Sequence, residues 1–87
     1  LKKHTKIYLD AFGFDGLSPL ECEACNHWNG TDVHHIEARG MGGSKHADTI
    51  DNLMLLCRNC HIRYGDKKQW KEWLKLVHAQ YMEKHGI

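Results

Sequence analysis

What the chain lacks bounds it first. No apolar run approaches the roughly 20 residues of a membrane-spanning helix, and no secretory signal opens the sequence. Formal net charge is only +1 with histidine neutral. That is too little for tight non-specific binding to nucleic acid through charge alone, although catalysis needs only a few well-placed cations. There is no internal repeat and no low-complexity tract. With 87 residues the chain has the size of one domain. A domain so small buries only about 60–65% of its unfolded surface and is marginal without a staple. The first residue is Leu1 rather than methionine, as expected of a fragment of something longer.

What is present is cysteine and histidine. Four cysteines form two Cys-x-x-Cys knuckles, Cys22/Cys25 and Cys57/Cys60, and there are 8 histidines. Two knuckles of this kind match tetrahedral zinc, because the two-residue spacing lets both sulfurs reach one ion about 2.3 Å away. Disulfides or free buried thiols are the rival assignment, and the lack of secretory features weakens the disulfides. Residues 26–56 separate the knuckles, more than a plain zinc ribbon needs. The ion is therefore expected to staple the ends of an inserted strand-loop-strand. Four sulfurs close it to water, so it is not expected to be a catalytic metal.

Local patterns set the elements. Residues 4–14 suggest a short helix ending near Gly13, with Ile7, Leu9 and Phe12 on its apolar side. Gly16 to Pro19 reads as a turn. Residues 31–36 alternate as a strand, 37–52 read as a long loop, and the apolar run 53–57 as a second strand. A short helix over 58–64 carries the second knuckle and stops at Gly65. Asp66 is expected to cap a helix from Lys67 to about His85, stopped by Gly86. On that helix Trp70, Trp73, Leu74, Val77 and Tyr81 make one apolar stripe for packing. Lys67, Lys68, Lys71, Lys75 and Lys84, with Asp66, Glu72 and Glu83, make a mostly solvated face. The expected organisation is an N-terminal arm over 1–21, a zinc-stapled core over 22–65 and an amphipathic helix over 66–87.

The stretch "TDVHHIEARGMGG", residues 31–43, sets two histidines side by side. Neighbours on a strand point to opposite faces, so His34 and His35 cannot repeat one job. With its flanks the insert supplies His34, His35, Asn52 and His61 in order. Over residues 22–61 this "HHI…RGMGG…DN-L-LC-CH" pattern resembles the HNH endonucleases, and more closely their cysteine-flanked members in phage and bacterial genomes. The resemblance implies a small α+β, zinc-stabilised domain with a ββα-metal (His-Me finger) core and flanking helices. It implies that His35 is the general base, and that His34 and His61 bind one catalytic divalent ion. Asn52 pins the long loop and brings a backbone carbonyl to the Nδ1–H of the base, leaving Nε2 free for water. Apart from the motif, an Asn before a strand is ordinary turn chemistry.

Other residues are weighed against plainer roles. Arg39, beside Gly40, Gly42 and Gly43, either grips a phosphate or is a solvated arginine in a tight turn; the phosphate role is favoured. His27 and His61 sit near the knuckles, but four cysteines leave neither needed for zinc. His4, His46, His78 and His85 lack motif support and are expected at the surface, with His46, in the long loop, a secondary candidate to meet substrate. The sequence also departs from the family: many members carry Asp at the position of His34 and a further His where Gly65 stands. Two imidazoles and no evident carboxylate leave the ion open among Mn²⁺, Mg²⁺, Ni²⁺, Co²⁺ and Zn²⁺.

The implied activity is metal-dependent hydrolysis of DNA phosphodiesters to 5′-phosphate and 3′-hydroxyl ends, in the cytoplasm of a bacterial or phage-infected cell. DNA is the expected partner and a membrane is not; a monomer with one active site would nick, a homodimer would be able to cut both strands, and an additional domain of a larger protein would read the sequence. The alternative is a non-catalytic zinc-stapled DNA-binding module. It accounts for the cysteines, Arg39 and the lysines, but not for the coincidence of His34, His35, Asn52 and His61.

Overall fold

The computed structural model describes residues 1–38 and 47–87. Helix α1 spans Lys3–Phe12, strand β1 Asp32–His35, strand β2 Leu53–Leu56, helix α2 Arg58–Tyr64 and helix α3 Lys71–Lys84. Turns of 3-10 helix precede β2 at Ile50–Asn52 and α3 at Lys68–Trp70. The fold is small α+β, with a two-stranded antiparallel sheet carrying helices on both faces.

Register sorts the side chains. Asp32 lies opposite Leu56, Val33 opposite Leu55, His34 opposite Met54 and His35 opposite Leu53. Directly opposed residues share a face and successive ones alternate. Asp32, His34, Met54 and Leu56 therefore share one face; Val33, His35, Leu53 and Leu55 share the other. Met54 and Leu56 pack with Cys22, Ile36, Cys57, Cys60 and Leu74. Leu53 and Leu55 pack with Tyr8, under Ile7 and Phe12 of α1. All four β2 residues are buried, which is why the run is apolar without alternation. A two-stranded hairpin is marginal alone, and these two cores are what hold it.

Helix α1 ends as expected, with Gly13 in the left-handed region at φ 72°. Helix α2 runs over the expected residues, its first turn capped by the Cys57 sulfur, which accepts from Cys60 N–H. The last helix differs from expectation. Gly65 is extended and Asp66 is left-handed at φ 59°, so the chain breaks away from α2 before a helix can begin. α3 starts only at Lys71, and Asp66 caps nothing. Trp70 lies in the 3-10 turn and meets Tyr64 edge-on at 5.0 Å. The inner face of α3 is Leu74, His78 and Tyr81, flanked by Trp73 and Val77.

His78 corrects another expectation: it is buried, not at the surface. Its Nδ1 lies 2.7 Å from Glu23 Oε1, and its Nε2 lies 2.6 Å from the Ile50 carbonyl. Glu23 Oε2 accepts from Tyr8 O–H at 2.6 Å and from Leu55 N–H at 2.9 Å. Burial opposes a charged His78, but the Glu23 carboxylate and the Ile50 carbonyl outweigh it and raise its pKa. This satisfied cluster ties α1, the first knuckle, β2 and α3 together.

Candidate active site and metal centres

The two knuckles converge. The sulfurs of Cys22, Cys25, Cys57 and Cys60 all lie within 4.8 Å of one another, and none is in a disulfide. In each knuckle a backbone N–H points at the first sulfur, Cys25 N to Cys22 Sγ at 3.5 Å and Cys60 N to Cys57 Sγ at 3.3 Å. Burial opposes ionisation of Cys57, yet the Cys60 N–H and the neighbouring thiols draw its pKa down. Four convergent soft donors fit a structural zinc and leave no ligand position for water. Cys22 and Cys25 lie before β1, and Cys57 and Cys60 follow β2, so an ion there would staple the ends of the hairpin.

The second cluster lies on the α2 face. His34 is 4% exposed, and its Nε2 is the one buried side-chain polar atom lacking a hydrogen-bond partner among the described residues. Such an orphan costs about 1–3 kcal/mol and calls for a cause. His61 and Asp66 stand beside His34, with one ligand atom from each of the three within 4.8 Å of the others. Burial lowers the His34 pKa, which favours the neutral imidazole that a metal requires. His61 is oriented from behind: its Nδ1–H donates to Asp32 Oδ2 at 2.7 Å, which leaves Nε2 as the lone-pair nitrogen. Asp32 also accepts from Thr31 Oγ1 at 3.0 Å and pairs with Arg58 Nε at 3.2 Å. Burial works against its charge, but His61, Thr31 and Arg58 hold its carboxyl below the usual range.

Gly65 explains the departure from the family pattern. A Cβ there would lie 2.5 Å from His61 Cδ2 and 2.6 Å from the His61 carbonyl oxygen. No side chain fits four residues after His61 unless that residue moves. Asp66, turned by its left-handed backbone, brings a carboxylate instead, so the expectation of a site without one is corrected. The orphaned Nε2 with a second imidazole and a carboxylate fits a divalent cation, with further positions left for water and phosphate.

His35 faces the other way, towards α1. Its Nε2 lies 2.7 Å from Asp48 Oδ1, and its ring centroid is 4.6 Å from that of His4. His4 is thus half-buried against the sheet rather than a surface residue. The expected backbone carbonyl on Nδ1 is not the arrangement seen: a carboxylate engages Nε2. Asn52 ties Glu37 to Ala47. Its Oδ1 accepts from Glu37 N–H at 2.7 Å, and its Nδ2 donates to the carbonyls of Glu37 at 2.9 Å and Ala47 at 3.0 Å. The Asn52 carbonyl is taken by Ile36 N–H at 2.9 Å and does not reach His35. A cavity of about 300 Å³ is lined by Val33, His34, His35, Ala38, His61 and Asp66, so the two faces of β1 meet one space at its end.

Arg39, Gly40, Gly42, Gly43 and His46 lie outside the described residues. Sequence reasoning passed over Asp32, Asp48 and Asp66. Asp32 had a signal, since it shares the alternation of His34. Asp66 was hidden behind its resemblance to a helix cap, and Asp48 had no local signal.

The family model described as HNH endonuclease matches residues 20–67, more than half of the chain. The type IV methyl-directed restriction enzyme EcoKMcrA of Escherichia coli (strain K12) is 38% identical over 48 residues, covering 55% of this chain and 16% of that enzyme. The chain thus corresponds to a small part of that relative's length. No solved structure matches.

Proposed function

The chain belongs to the HNH endonuclease family, and from that premise we propose that it hydrolyses DNA phosphodiesters with a divalent ion, leaving 5′-phosphate and 3′-hydroxyl ends. The observation that carries the reading is the buried His34, its Nε2 unpartnered among the described residues, in one cluster with His61 and Asp66. An ion held by these three residues would polarise a phosphate oxygen and offset charge on the departing 3′ oxygen. His35 takes a proton from the attacking water. The water oxygen bonds to phosphorus, the bond from phosphorus to the 3′ oxygen breaks, and that oxygen takes a proton from solvent. Asp32 orients His61, and Asn52 ties Glu37 to Ala47 beside the cavity. The Asp66 carboxylate adds a hard donor, so Mg²⁺ and Mn²⁺ stand with Ni²⁺, Co²⁺ and Zn²⁺ as ions to test.

Residues 1–87 act in this reading as one catalytic unit, stapled by zinc on the four cysteines. With a net charge of +1, it is proposed to cut DNA held by a second copy or an additional domain rather than by its own charge. None of its described helices is long and apolar enough to cross a membrane, and the proposed setting is the cytoplasm. A non-catalytic DNA-binding module would leave the orphaned His34 nitrogen without a cause.

The test is supercoiled plasmid incubated with Mg²⁺, Mn²⁺, Ni²⁺, Co²⁺ or Zn²⁺ against EDTA, beside His35→Ala. Metal-dependent nicking or linearisation, lost in the variant, is expected. Intact plasmid with every ion, from folded zinc-loaded protein, would overturn the reading in favour of the binding module.

A further inference from the structure

We infer that Asp48 is a positioning residue that fixes the tautomer of His35, making Nδ1 rather than Nε2 the atom that takes the proton from water. The inference rests on the reading of His35 as the base. A carboxylate only accepts hydrogen bonds, so the nitrogen 2.7 Å from Asp48 Oδ1 must carry the hydrogen. A neutral imidazole has one N–H, and with it on Nε2 the lone pair is on Nδ1. Nδ1 has no hydrogen-bond partner among the described residues and is not a sealed, unsatisfied atom. The side chains of His35 and Asp48 are 17% and 16% exposed, a pair shielded from water but not closed to it. His35 also lines the cavity shared with His34, His61 and Asp66.

The surroundings place Asp48 where it has this effect. It stands between Ala47, whose carbonyl accepts from Asn52 Nδ2 at 3.0 Å, and Thr49, whose carbonyl accepts from Asn52 N–H at 2.9 Å. Asn52 thereby acts on the base through the turn that carries Asp48. His4 packs against the ring, centroid to centroid at 4.6 Å. His4, His35 and Asp48 also bring ligand atoms within 4.8 Å of one another. Yet 2.7 Å is an ordinary charge-assisted hydrogen bond, and ligands on bonds of about 2.0–2.1 Å to one ion sit farther apart than that. When Nδ1 takes the proton, the imidazolium keeps its Nε2–H on the carboxylate and later returns the Nδ1 proton to solvent.

The experiment uses the full zinc-loaded chain with Asp48→Asn, Asp48→Glu and His35→Ala. Long-range ¹H–¹⁵N spectra, recorded without substrate, are expected to show His35 as the Nε2–H tautomer. In Asp48→Asn the side-chain amide can donate to Nε2, and the spectrum should move towards the Nδ1–H form. Plasmid nicking should fall about 10²–10⁴-fold in turnover, with KM and zinc content unchanged and partial recovery in Asp48→Glu. A wild-type spectrum of the Nδ1–H form, or Asp48→Asn cutting at the wild-type rate while His35→Ala is dead, overturns the role of Asp48 and leaves the base in place. Wild-type cleavage by His35→Ala overturns the base itself, and the Nδ1 acceptor with it.

Discussion

His78 and His34 lie almost equally deep, at 1% and 4% exposure, and have opposite surroundings. Each ring nitrogen of His78 meets an acceptor, Glu23 on one side and the Ile50 carbonyl on the other. His34 buries an Nε2 that meets none among the described residues. Burial alone therefore does not separate a satisfied histidine from a candidate ligand; the hydrogen-bond ledger does. The polar cluster around His78 is complete within the protein and needs no ligand. The cluster of His34, His61 and Asp66 leaves the His34 Nε2 without a partner among the described residues, as the proposed divalent ion would require. The cysteine cluster is a third case, convergent like the second but closed by its own four sulfurs.

The largest expected effect tests that third case. Structural zinc contributes on the order of 10–16 kcal/mol in small zinc-binding peptides, comparable with the ~5–15 kcal/mol that separates most folded domains from unfolding. Cys57→Ser should therefore abolish the cooperative thermal transition followed by circular dichroism and strip the zinc. Cys57 also caps α2, which adds to the loss. A wild-type melting curve with normal zinc content would sink the structural-site assignment.

The cysteine cluster was legible because a two-residue spacing is local, and the opposite facing of His34 and His35 followed from the two-residue period of a strand. Helix α2 was legible because a knuckle opens it and Gly65 closes it. The rest is long-range. Glu23 sits between two cysteines like any solvated residue, and its partner His78 is 55 positions away. Asp48 meets His35 across 13 positions, too far apart for any local pattern to pair them. Asp66 misled for a different reason. An aspartate before a lysine-rich helix satisfies every capping rule, but its φ is left-handed and its carboxylate lies with His34 and His61 instead.

The next effect tests the completed cluster. Glu23→Gln leaves His78 buried without its carboxylate, and breaking a buried pair costs about 3–5 kcal/mol. Urea unfolding should show that loss at neutral pH, with the structural zinc retained. The pair also predicts a pH dependence of definite sign. The folded-state pKa of His78 is raised above its unfolded value near 6.5. Its contribution is therefore fully present below that unfolded value and is lost as pH rises through the folded one. The stability advantage of the wild type over Glu23→Gln should shrink over that rise. An advantage that grows with pH would mean that His78 is not the charged partner.

The smallest effect on stability is expected at the other buried histidine, where the comparison is sharpest. Phe in place of His34 removes an orphaned nitrogen and keeps most of the ring volume. Replacing an unsatisfied polar group by an apolar one of similar shape is close to neutral, so unfolding without added divalent ion should change by no more than about 1 kcal/mol. Activity should nevertheless vanish, because the variant lacks a proposed ligand. A second readout separates a ligand from a merely buried ring. Anything that binds only the folded state stabilises it in proportion to the logarithm of its concentration. Added Mn²⁺ should therefore raise the melting temperature of the wild type and leave that of His34→Phe where it was. If the variant instead unfolds as readily as Glu23→Gln, or gains the same stability from Mn²⁺, the orphaned nitrogen is not a metal ligand and the contrast with His78 collapses.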